Sequence, residues 1–359
     1  MLSGEMERRV ATRALLQRIV EQFVVREVHG QTELRQFERL AGDLIDVTDS
    51  EAVTTIAEPL CRHPDTPPAL IRRFFDRGGA CARIAFEFAA APVADIIANA
   101  EHGSAELAAA IARRAELPRE AISALAARSE GVALYALAAN RRIHLDATAL
   151  RALSQVARDD QALARLLLNR EDIDIDPEPL FLAATREERA RIVLAACRSA
   201  FVDGAGDGWA PGDEKLGEQL DALAARQERD AMIARIADAL DARKSRVRKI
   251  FLDEGGEALA LTCVALGVDV ETATRLFLSS KMAFARDVAR IRALRALMSS
   301  TPRRAAARIV AAINGCGRFD REPTRRVSWR VDPSTQAGSR RRGAADRLAP
   351  AVQRHANSD

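Results

Sequence analysis

Apolar residues recur at three- and four-residue steps along most of this chain, in short bursts broken by polar turns, and that period predicts helices throughout. Residues 5–28 carry Val10, Leu15, Leu16, Ile19, Val20, Phe23 and Val24 among charged neighbours, a helical stripe that His29-Gly30 ends. A second helix is predicted over Glu33 to Leu44, with Leu34, Phe37, Leu40 and Leu44 on one face. Asp49 or Ser50 can cap a third through Leu60.

From there a motif repeats. Pro67, Pro92, Pro118, Asp146 and Asp176 each begin an apolar helical run, followed by a polar turn and a second run. Proline loses no hydrogen bond in a first helical turn, and aspartate caps the same place, so either residue can open a unit. The second helices end in polar stops: Arg113-Arg114, Asn140-Arg141-Arg142 and Asn169-Arg170. Helices of two to three turns do not stand alone in water, so each unit must pack on its neighbours, and the pattern predicts a solenoid.

Beyond Asp176 the period breaks. Thr185-Arg186-Glu187-Glu188 reads as a capping box opening a helix through Phe201. The glycine-rich segment from Asp203 to Gly212 reads as a linker with Trp209 as a docking plug. One long helix is predicted from Asp213 to about Leu252. Two helix pairs follow, Glu257 to Leu266 with Val270 to Ser279, and Ala285 to Met298 with Pro302 to Ile313. After Gly315 the periodicity vanishes into a segment rich in Arg, Ser, Gly and Pro that cannot bury enough apolar surface to order itself.

The run IARRAELPREAISALAARSEGVALYALAANRRIHLDATALRALSQVARDDQALARLLLNRED, residues 111–172, resembles the bacterial family of domain of unknown function 2336. Its short period is also similar to HEAT-like and leucine-rich-variant repeats, and the resemblance extends more weakly from about Glu33 to Ser280. What it implies is a helical-repeat protein of the bacterial cytoplasm with no established activity. It supplies no functional residue to carry over.

The expected fold is therefore all-α: a right-handed α-solenoid of short helix pairs, then a C-terminal helical bundle and a disordered tail. The expected organisation is 1–60 as capping helices, 61–202 as the solenoid, 203–212 as a linker, 213–316 as the C-terminal helical domain and 317–359 as a basic tail. Composition agrees, because alanine makes up about a fifth of the chain while aromatic residues reach only 4%. The net charge of +3 is unevenly spread: the segment from Gly317 on carries +5 and the rest −2, so no strongly basic body argues for nucleic acid. Five scattered cysteines without a Cys-x-x-Cys pair fit a reducing compartment. No apolar run approaches a membrane span, and membrane insertion is not expected.

Candidate chemistry is sparse. No catalytic triad, metal-ligand spacing or phosphate loop can be assembled, so no enzyme, cofactor or metal is expected. The leading reading is an interaction scaffold that takes an unidentified protein partner on a polar ladder of Arg113, Arg114, Asn140, Arg141, Asn169 and Arg170. The alternative is nucleic-acid binding. It would use the cluster Arg243, Lys244, Arg246, Arg248 and Lys249 with the helix-turn-helix-like hairpin at 257–279, whose Thr272, Thr274 and Arg275 would face the groove. Against it, cations suit the C-terminal end of the long helix expected there. His63-Pro64-Asp65 matches a co-chaperone tripeptide, but without the flanking helices it reads as a turn.

Overall fold

A computed structural model describes residues 2–202, 214–279 and 283–315. The expected linker with Trp209, and the tail from 317 with Arg340-Arg341-Arg342, lie outside the described residues. Within them there is no strand, and the chain forms two compact units that divide between Asp176 and Pro177.

The first unit is a solenoid of short helix pairs. It opens with α1 (Leu2–Val24), α2 (Gln31–Val47) and α3 (Ser50–Arg62). It continues with α4 (Pro68–Arg77), α5 (Gly79–Phe88), α6 (Val93–His102), α7 (Ala105–Ala112), α8 (Arg119–Ala127), α9 (Gly131–Ala139), α10 (Ala147–Ala157) and α11 (Gln161–Leu168). The odd-numbered helices from α3 to α11 pack one on the next in an unbroken row. Their composition explains this. In α7 the run Ala108 to Ala112 is buried on every side, and a helix that is apolar all round belongs in a core. The even-numbered helices form a second row with one face buried, as with Ile96 and Ala100 of α6 or Ala121, Ile122, Leu125 and Ala126 of α8.

The residues that start each unit act one step earlier than expected. Pro67, Pro92, Pro118 and Asp146 are N-caps with extended ψ, not first helical residues. Asp146 caps through its carboxylate, which accepts from the amides of Thr148 and Ala149 at 3.0 and 2.8 Å. Proline instead holds φ near the value an entering chain needs. Asp176 opens no such pair: Pro177 and Pro179 lack the donors an α-turn needs, and Glu178–Ala183 is a 3-10 helix.

His63 and Asp65 brace the α1–α2 connection. The His63 Nε2–H donates to the Arg26 carbonyl at 2.6 Å, and the Asp65 carboxylate accepts from the His29 amide at 2.8 Å. Phe23 lies at the centre, stacked on His29 and on Phe37 with ring centroids 4.1 and 3.8 Å apart.

The second unit contains the 3-10 segment and α12 (Arg186–Val202), α13 (Glu214–Ala225), α14 (Arg229–Leu240), α15 (Lys244–Leu252), α16 (Glu257–Leu266), α17 (Val270–Ser279), α18 (Val288–Ser300) and α19 (Arg303–Asn314). The capping box at Thr185 forms: Glu188 accepts from the Thr185 amide at 2.7 Å, and the Thr185 hydroxyl accepts from the Glu188 amide at 3.3 Å. The helix it opens packs on α19 and the 3-10 segment, within the second unit. The long helix expected from Asp213 to Leu252 is instead α13, α14 and α15. The breaks fall at Gln227 and Asp241, the two non-glycine residues with positive φ, 57° and 51°. Asp241 is a left-handed C-cap whose amide closes on Ala237 and Asp238, an ending that lacks the usual glycine or proline signature.

α16 and α19 form the hub of this unit. Alanines 305–307, 311 and 312 of α19 are buried, and small side chains allow close axial approach. A cluster of buried charge lies beside the hub. Arg189 bridges Asp253 at 2.7 Å and Glu257 at 2.9 Å, and Arg290 pairs with Glu257 while donating to the Gly255 carbonyl at 2.7 Å. Burial pushes the Glu257 carboxyl up, but the hydrogen bond from Arg290 and the charge of Arg189 win and hold it below its ordinary value.

The turn that carries these carboxylates needs its glycine. Gly256 sits at φ 77°, and a β-carbon there would lie 2.7 Å from the Phe284 ring. Gly256→Ala is expected to cost about 2–3 kcal/mol, through left-handed strain and overpacking together, read as a lower urea midpoint for the second unit.

Candidate functional site

The last carbonyls of an α-helix have no partner within the helix and must find one elsewhere. In the first unit the neighbouring repeat supplies it. Arg114 donates to the Phe86 and Ala89 carbonyls at the end of α5, the latter at 3.0 Å. Asn140 Nδ2 donates to Ala112 and Arg114 at 2.8 and 2.7 Å, closing α7. Arg170 Nη1 reaches Asn140 at 2.9 Å and Ala138 at 3.3 Å, closing α9, and Nη2 reaches Ile143 at 3.3 Å. The second helices α5, α7 and α9 are thus each C-capped by a side chain that follows the next second helix.

The expected partner-facing ladder therefore separates into two faces. Arg170 is 1% exposed, Asn140 is buried and Arg114 is half-buried, and all three bind the chain's own backbone. Arg113, Arg141 and Asn169 remain exposed. Arg113 pairs with Glu87 at 3.4 Å, Arg141 donates to the Asn169 carbonyl at 3.4 Å, and Asn169 accepts from Arg165 at 2.9 Å.

The even-numbered row has rungs of the same kind. Arg77 donates to the Ile45 carbonyl at 2.6 Å and to that of Thr48, so α4 closes α2. Arg128 donates to Ala100, Glu101 and Gly103 at 3.0, 3.0 and 2.8 Å, so α8 closes α6. His102 stands at the same offset from its unit's start as Arg77 and Arg128 do from theirs. It is exposed and does not reach back to α4. At that missing rung the row opens: α2 packs on α4, α6 on α8 and α8 on α10, but α4 and α6 lack a comparable contact.

A cleft of about 1040 Å³ occupies the gap. Its floor is apolar, formed by Phe86, Cys61 and Ala89 with half-buried Ile71, Phe75 and Phe88. The Arg62 guanidinium lies 3.8 Å over the Phe88 ring and is itself held by Glu58 at 2.9 Å. The α4 wall presents exposed Arg72 and Asp76, and the α6 wall presents exposed Asp95. Its neighbours Arg73 and Arg77 are engaged by Asp46 and by the α2 carbonyls, whereas Arg72 has no bonded partner among the described residues. Of the lining, the sequence marked His63, Pro64 and Pro92, but none of the floor or wall residues named above. The available signal was the arginine lacking at the end of α6.

The basic cluster lies on α15, with Arg243 as its N-cap, so its cations stand at the start of a short helix rather than the end of a long one. Only Lys249 is in the last turn. Arg243, Lys244 and Arg248 are exposed, Arg246 and Lys249 are half-buried, and Arg248 pairs with Asp230 at 2.9 Å. The hairpin turns at Gly267, φ 75°, as its sequence suggested, but α16 packs on α18 and α19 while α17 packs on α13 and α18. Thr272 is buried and accepts from Arg275 at 3.0 Å, Thr274 donates to the Val270 carbonyl at 2.5 Å, and Arg275 is paired with Asp221 at 2.7 Å.

Burial pushes the thiols of Cys61 and Cys263 up to about 12 and raises that of Cys197, so these sulfurs carry protons at neutral pH and are poor nucleophiles. Among the described residues no group of three or more His, Cys, Asp or Glu side chains is placed to hold a metal ion. No described helix is long and apolar enough to cross a membrane.

Residues 92–200 match the model of a family described as an uncharacterised protein conserved in bacteria, DUF2336. The match begins at the N-cap of α6 and ends within α12, covering less than a third of the chain. The comparisons with curated proteins and with solved structures return no match.

Proposed function

We propose that this protein is a non-catalytic scaffold of HEAT-like helix pairs in the bacterial cytoplasm, which receives another protein in the cleft between α4 and α6. The observation that carries the reading is the cleft itself. An apolar floor containing Phe75 and Phe88, rimmed by Arg72, Asp76 and Asp95, is the arrangement of a buried anchor surrounded by polar specificity contacts. Arg77 ties the α4 wall to α2 and Arg128 ties the α6 wall to α8, so each wall is braced on the side away from the cleft, which limits the ordering entropy that opposes binding. The exposed line of Arg113, Arg141 and Asn169 extends the polar surface. The alternative reading is not favoured, because Thr272 is buried and Arg275 is paired with Asp221.

Affinity capture from a lysate of the native host tests this, with the full chain as bait and an Arg72→Glu/Asp95→Lys variant as control. Both positions are exposed, so the fold is expected to survive. One or more proteins should be enriched by the parent chain and lost with the variant. Enrichment that the variant leaves unchanged sinks the reading.

A further inference from the structure

We infer that the cleft between α4 and α6 is filled by the first half of α1 from a second copy of the chain, the two copies exchanging helices in a closed dimer. This rests on the cleft being a docking site, and names its occupant.

α1 is 23 residues long, or about 35 Å, and its buried side chains lie in its second half. Leu16, Val20 and Phe23 are at most 5% exposed, whereas Met6 and Val10 are 68% and 63% exposed. An exposed apolar stripe on an isolated helical segment is stabilised only when something covers it. Met6, Val10 and Ala14 lie four residues apart and share one face, with Glu7 flanking that face on one side and Arg13 on the other. The cleft is built to the same plan. Ile71, Phe75 and Phe88 form the floor, Arg72 and Asp76 stand on the α4 wall and Asp95 on the α6 wall. Docked there, Met6 and Val10 meet the floor while Glu7 faces Arg72 and Arg13 faces Asp95. The sizes agree, since two turns of helix roughly 10 Å across occupy on the order of 900 Å³, against about 1040 Å³ in the cleft.

The helix cannot reach its own cleft. His63 lines the cleft, and its bond to the Arg26 carbonyl fastens the C-terminal end of α1 beside it. Along the rod, Val10 lies about 20 Å from Phe23, so folding back would require α1 to break. Reciprocal insertion between two copies satisfies both stripes and leaves no unpaired end, which closes the assembly at two.

Sedimentation equilibrium of the full chain tests this over loading concentrations from about 5 to 200 µM. A reversible dimer of the 39.1 kDa chain is expected. Val10→Asp should raise its Kd at least tenfold without altering the circular dichroism spectrum, because Val10 is exposed in the monomer. Arg72→Glu should weaken the dimer, and combination with Glu7→Arg should restore it. A monomer throughout, a dimer indifferent to Val10→Asp and Arg72→Glu, or failure of the charge exchange to rescue overturns the inference. If the chain is monomeric yet captures a protein through the cleft, the scaffold reading stands and the second-copy occupant falls. If the dimer forms through the cleft and no other protein is captured, the inference stands and the scaffold reading falls.

Discussion

Arg189→Met is expected to lower the stability of the second unit by about 3–5 kcal/mol, because removing one partner from a buried ion cluster leaves the others charged and desolvated. Arg189 is 8% exposed and bridges Asp253 and Glu257, and its guanidinium also donates to the carbonyls of Phe181, Leu182 and Ala184 at 3.1, 2.9 and 3.0 Å. It ties the 3-10 segment, α12 and the turn before α16 into one body. Chemical denaturation with a probe on the second unit measures the loss. The same cluster makes this unit acid-sensitive. The folded carboxyl of Glu257 lies below its ordinary value of 4.5, so its contribution is fully present above that pH and is lost as the pH falls through the folded value. Glu257→Gln should flatten that part of the stability profile, which a urea midpoint series from pH 7 down to about 3 would show.

Arg170→Ala is the corresponding test of the first unit, with an expected cost of about 3–5 kcal/mol. The guanidinium closes three carbonyls of the preceding repeat and pairs with Asp172, all from a 1% exposed position, so truncation opens a cavity and orphans buried acceptors together. Lysine should not rescue it, since a single ammonium lacks the fork that reaches Asn140 and Ile143 at once. Its exposed neighbour Arg141 sets the contrast: Arg141→Ala should change stability by less than about 0.5 kcal/mol. Equal effects at the two positions would refute the capping ladder. For the same reason, partner capture must be tested with Arg113 and Arg141 rather than with Arg170, whose loss damages the fold.

Periodicity made most helices legible because short amphipathic segments obey local rules. Asp49 caps α3 and Thr185 closes its box with Glu188, as their spacing indicated. The missed breaks in 213–252 depend on two residues, Gln227 and Asp241, taking a conformation that neither is usually given. Local preference is weak there, and packing decides. The ladder positions could be read as polar and periodic, yet the period holds for both faces of a helix end. Whether Arg170 faces water or the carbonyls of α9 is set by how far each repeat is rotated on the last. The α4–α6 cleft was hidden for a related reason, since it arises where a contact fails to form.

By itself, then, the sequence determined that the chain is all-helical, that its first half repeats, and where most units begin. Those features follow from side-chain period and capping chemistry, both of which act within a few residues. Tertiary structure alone decided which arginines became backbone caps, where the Arg189–Glu257 cluster closed, and that the even-numbered row opens beside His102. These depend on groups about 25 to 70 residues apart meeting in space, and a local pattern carries no information about such meetings.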